Sequence, residues 1–123
     1  MRPKLTRFIP LALAPLLVAC NLLDPDADCV LAPMPAVAVE VEDVRTGAAI
    51  EGALAVARDG AFADSARTNR AGRARLAFQR AGTFDVTVEK DGFVPERRSN
   101  MSVDVNECGQ PDTAELRFAL EPV

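Results

Sequence analysis

Three cysteines, at 20, 29 and 108, and 18 carboxylates are the groups of this 123-residue chain with chemistry to offer, for histidine, tryptophan and tyrosine are absent. Those absences exclude a good deal. Without histidine there is no Ser-His or Cys-His nucleophile pair, and no imidazole base titrating near neutral pH. A zinc site usually takes four nitrogen or sulfur ligands, which Cys29 and Cys108 alone do not supply. Asp24, Asp26 and Asp28 alternate as the opening of a calcium loop does. Such a loop wants glycine at its sixth place and glutamate at its twelfth, and those places hold Cys29 and Pro35. Among 18 acidic residues some close pair is inevitable, so a glycosidase-like carboxylate pair is no signal. Most of the acids alternate with apolar residues, as the wet face of a strand does. No catalytic residue, metal ligand or cofactor site is expected.

Cys20 has a setting of its own. Arg2, Lys4 and Arg7 precede an apolar stretch of 11 residues, Phe8 to Val18, and small Ala19 stands just before the cysteine. A basic start, an apolar middle and a small residue at the cut make a secretory leader, whereas a helix crossing a bilayer takes roughly 20 apolar residues. Leu17-Val18-Ala19-Cys20 resembles the lipobox of bacterial lipoproteins. The resemblance implies that residues 1–19 are a signal peptide, cut before Cys20. It also implies a diacylglycerol on the Cys20 thiol and an acyl chain such as palmitate on the new amino terminus. Asn21 follows, where aspartate would retain an enterobacterial lipoprotein at the inner membrane, so outer-membrane routing is expected. Losing residues 1–19 removes three of the 14 basic residues and none of the 18 acidic ones, leaving a net charge of −7. An acidic surface repels nucleic-acid phosphates and anionic head groups alike. Attachment then falls to the acyl chains, each buried methylene being worth about 0.8 kcal/mol.

With Cys20 taken by lipid, Cys29 and Cys108 remain, and an oxidising envelope lets them pair. Their ring encloses 80 residues, for which chain entropy gives about 4–5 kcal/mol. Residues 20–35 read as a lipidated amino terminus and flexible tether, because prolines at 25, 33 and 35 exclude a helix interior there.

Beyond Pro35 the hydrophobic period is two. Val37, Val39 and Val41 alternate with Ala38, Glu40 and Glu42, as in a strand with one buried face. The same reading puts Leu54 and Val56, then Ala74, Leu76 and Phe78, then Phe84, Val86 and Val88 on inward faces. It recurs in Met101, Val103 and Val105, and in Leu116, Phe118 and Leu120. Turn signals such as Thr46-Gly47, Asp59-Gly60 and Asp91-Gly92 separate the runs. Short strands at this spacing predict an antiparallel sandwich or barrel. Residues 36–123 suffice for one domain with a modest core.

The segments Val39 to Gly47, Ile50 to Ala53, Thr68-Asn-Arg-Ala-Gly72 and Gly82 to Phe93 together resemble the carboxypeptidase regulatory-like domain, over residues 36–121. The resemblance implies an all-β, antiparallel seven-stranded sandwich of the prealbumin-like type, without catalytic activity of its own. Transthyretin-like hydrolases, a related enzymatic class, imply active-site histidines and a carboxyl-terminal tyrosine that this chain lacks. A related surface module links lysine to asparagine, but Lys90 is the only lysine left after the leader, and it is read as lying in a late strand.

What remains is a non-enzymatic module with a protein partner in the cell envelope, or a carbohydrate-binding module as the alternative. Sugar platforms usually rest on exposed Trp or Tyr, so protein partnership is favoured. Arg97-Arg98, and Arg67, Arg70, Arg73 and Arg75 around one loop, are the basic clusters suited to carboxylates or phosphates. Solvated arginines balancing an acidic surface are the plainer expectation.

Overall fold

A computed structural model describes Cys29 and residues 32–123. The proposed leader and Cys20 lie outside the described residues, as does most of the tether. Seven strands run in the order β1 (Pro35–Asp43), β2 (Leu54–Asp59), β3 (Phe62–Arg67), β4 (Arg73–Phe78), β5 (Gly82–Glu89), β6 (Glu96–Val103) and β7 (Ala114–Leu120). They form two sheets, β4-β1-β7 and β3-β2-β5-β6, and among the described residues there is no helix. The core holds Val37, Val39 and Val41 of β1, Phe84, Val86 and Val88 of β5, and Leu116, Phe118 and Leu120 of β7, the faces that alternation assigns.

One pair departs from the antiparallel expectation. β1 runs antiparallel to β4 but parallel to β7, with Val37 opposite Ala114 and Asp43 opposite Leu120. Parallel neighbours need a long crossover. Here the whole four-stranded sheet and β4 intervene between the two strands.

The phase of β2 is also corrected. Ala53, Ala55 and Ala57 are fully buried, while Leu54 and Val56 sit half-buried on the outer face. Every residue from Ala53 to Ala57 is apolar, so no polar partner fixes which side faces in. Inner faces of stacked sheets interdigitate, alternating large with small. The alanines leave room for Leu76, Phe84 and Phe118, among the largest fully buried side chains.

Alternation does not show β3 at all, because the middle of its inner side is a carboxylate. Asp64 Oδ2 accepts a hydrogen bond from the Ala77 backbone N–H at 2.8 Å, stitching β3 to β4. Ala77 has φ 57°, and the twist there buries Ala77 as well as Leu76 and turns Phe78 outward, 47% exposed. Phe78 was expected inside. β6 begins at Glu96, with five exposed residues before Met101, as a charged sheet edge does. Val105, also expected inward, is 60% exposed and pairs with Pro111 in a hairpin beyond the sheet.

Two motif segments meet at Thr68, which is only 4% exposed. Its Oγ1 accepts from the Ala53 N–H at 2.9 Å and donates to the Ile50 carbonyl at 2.7 Å. Asn69 Oδ1 accepts from the N–H groups of Ala71 and Arg73 and closes the loop. Gly72 has φ 78°, and a Cβ there would lie 2.5 Å from the Val41 carbonyl. Only glycine suits that approach.

Candidate functional site

Strands β4, β1 and β7 lay their outward residues in rows. Register places Arg73 and Arg117 on either side of Glu40, and Arg75 and Glu115 on either side of Ala38. The Glu40 carboxylate accepts from Arg73 Nε at 3.2 Å and from an Arg117 Nη at 2.8 Å. Arg117 Nε also lies 3.9 Å from Glu42. The bond from Arg117, then that from Arg73, holds the Glu40 carboxyl below the usual glutamate range. Among the described residues, neither Arg75 nor Glu115 makes an ion pair.

Over one end of these rows stands the hairpin between β6 and β7. Asn106 Oδ1 accepts from the N–H groups of Cys108 and Gln110, and the Asn106 N–H donates to the Gln110 carbonyl at 2.7 Å. Gln110 Nε2 donates to the Ala32 carbonyl at 2.9 Å, and Thr113 Oγ1 to that of Pro35 at 2.6 Å. Hairpin and sheet face enclose an open groove of about 860 Å³ whose lining includes Ala38, Arg75, Glu115 and Asn106. It can receive groups of both charges. Cys29 and Cys108 are disulfide-bonded, as read from the sequence.

The basic clusters disperse. Arg67 ends β3 in one sheet, while Arg73 and Arg75 stand on β4 in the other. Arg97 bonds Asp85 Oδ2 at 2.9 Å. The Asn100 backbone N–H, first, and Arg97, second, hold the Asp85 carboxyl below the usual aspartate range. Arg98 lies over the Phe118 ring, 4.7 Å from its centroid, and donates to the Arg117 carbonyl at 2.6 Å. It closes the seam between β6 and β7. Glu40, Glu115 and Arg117 escaped notice in the sequence as ordinary wet-face residues; only strand register unites them with Arg73 and Arg75. Among the described residues no group of three or more His, Cys, Asp or Glu side chains could hold a metal ion.

The family model of the carboxypeptidase regulatory-like domain matches residues 36–121. The chain belongs to this family. No curated relative matches it. In this regulatory-like domain the matched span runs from the start of β1 to just past β7, so both sheets and the groove hairpin belong to it.

Proposed function

We propose that this chain is a non-catalytic module of the bacterial cell envelope, anchored by lipid on Cys20 after removal of residues 1–19, with outer-membrane routing. It binds another envelope protein through the groove on its three-stranded sheet. One observation carries the binding reading: the row Arg75–Ala38–Glu115. Strands stand roughly 4.8 Å apart, so the guanidinium and the carboxylate rise about 10 Å apart beside a methyl floor. Glu40 already engages its two neighbouring arginines, whereas Arg75 and Glu115 keep their charges for a partner with an acidic and a basic group at matching distance. Such complementarity sets specificity and encounter rate more than raw affinity.

The test is a photo-reactive residue at position 38 of the full chain in a bacterial envelope. A discrete protein adduct is expected, reduced by Arg75→Glu or Glu115→Arg. No adduct, or selective glycan binding in its place, overturns the reading. So does substrate turnover lost on changing one carboxylate. Intact-mass analysis tests the anchor: the expected species starts at Cys20 and carries lipid, and Cys20→Ser leaves the precursor. A mature protein with a free Cys20 thiol overturns it.

A further inference from the structure

The outer face of the four-stranded sheet follows a different pattern. Register places Leu54 between Arg67 on β3 and Glu89 on β5, Val56 between Ser65 and Thr87, and Arg58 between Ala63 and Asp85. Among the described residues, Arg67 and Glu89 make no ion pair, although Arg67 donates to the Gly52 carbonyl at 3.1 Å. Leu54 and Val56 are the half-buried apolar centre of this face.

From this arrangement we infer that the face is a homotypic contact, taking a second copy of the same chain about a two-fold axis parallel to β2. Such an axis exchanges the two strands that flank β2, so β3 of one copy lies over β5 of the other. In an isologous contact residue i meets j while j meets i. Arg67 then meets Glu89 of the second copy, and Glu89 meets its Arg67. Leu54 meets Leu54, Val56 meets Val56, and Ser65 meets Thr87. In the third row Asp85 of each copy, already bonded to its own Arg97 at 2.9 Å, passes over Ala63 of the other, so that the two facing Arg58 guanidiniums lie between carboxylates. Sheets stack about 10 Å apart, a gap that an arginine and a glutamate reaching toward each other close.

The same operation about β1 on the other sheet would pair Arg75 with Glu115, but would set Arg73 against Arg117 in both directions and Glu40 against Glu40. The β3-β2-β5 face, with apolar Leu54 and Val56 at the centre of two rows, is therefore the better matched to itself. Three strands by three rows cover about 300 Å² per copy, from strand spacing and rise, well short of the ~800 Å² per partner of a stable complex. Two acidic chains also repel at long range, with screening over about 8–10 Å. The contact is thus transient in dilute solution and favoured where copies are crowded on one surface, since tethering raises effective concentration.

The experiment places a photo-reactive residue at position 54 of the full chain, expressed in the envelope. Covalent dimer is expected. Arg67→Glu sets two carboxylates face to face and Glu89→Arg two guanidiniums, so each variant alone should lose at least tenfold of the dimer. Co-expressed with different tags, the two variants should restore it as the mixed species only, because each new charge then meets its opposite. The double variant R67E/E89R should dimerise with itself. No dimer at position 54, dimer indifferent to charge reversal, or no rescue on mixing each overturns the inference. Adducts at position 38 report the other face, so the two readings fail separately.

Discussion

On the outer face of the three-stranded sheet, Glu40 binds Arg73 on one side and Arg117 on the other; on the four-stranded sheet, Arg67 and Glu89 flank Leu54 and stay apart. Both faces consist of ordinary alternating strands. What separates these two rows is the residue that register puts on the central strand. A carboxylate between two guanidiniums is a closed arrangement, whereas a leucine between opposite charges leaves both open to a second surface. Overall charge would not distinguish these faces, but cross-strand pairing does.

Reducing the Cys29–Cys108 disulfide should have the largest effect and break the comparison on one side only. Loss of a cross-link in a small domain costs about 2–5 kcal/mol, and the hairpin holding Cys108 frames the groove of the three-stranded sheet. Thermal unfolding with and without reductant should show a lower midpoint for the reduced chain. Crosslinking at position 38 should fall while crosslinking at position 54 persists. Free thiols in oxidised, envelope-purified protein would contradict the bond.

A smaller effect separates inside from outside on β2 itself. Ala55→Leu forces bulk into a fully buried position and should destabilise by about 1–3 kcal/mol. Leu54→Ala, on the outer face, should cost less than about 1 kcal/mol while weakening dimer capture. Urea midpoints for the two variants measure the difference, and equal losses would contradict the assigned phase.

Acid should give the smallest change, and salt should divide it between the faces. Glu40 and Asp85 both have depressed carboxyl values in the folded chain. Their stabilisation is therefore complete above the ordinary carboxylate range and is lost as pH falls through the depressed values. Arginine bonds dominate at Glu40 and a backbone N–H dominates at Asp85, so added salt should blunt mainly the Glu40 contribution. Midpoints followed from about pH 6 to about pH 3 should show a salt-sensitive part removed by Glu40→Gln and a less sensitive part removed by Asp85→Asn.

Much of the fold was legible where apolar and polar residues strictly alternate. β1, β5 and β7 each carry charged or polar residues between their large apolar ones, and their inner faces follow. The uniformly apolar stretch around β2 left its phase open, and Asp64 hid β3. At Ala77 a left-handed residue displaced Phe78 from the core. The two cysteines that pair stood out by elimination. The groove did not, because Glu40 and Arg117 lie 77 positions apart; no local pattern reports that distance. Thr68 lay within a quoted motif, yet its buried bonds to Ile50 and Ala53 appear only once the chain has folded.

The parallel pairing of β1 with β7 bears on how the domain resists being pulled. Seven aligned positions join the two strands, from Val37 with Ala114 to Asp43 with Leu120. Because both strands point the same way, tension between the leading end of β1 and the trailing end of β7 acts along the ladder. All seven positions then share the load as shear, whereas a hairpin drawn apart at its open end gives way one rung after another.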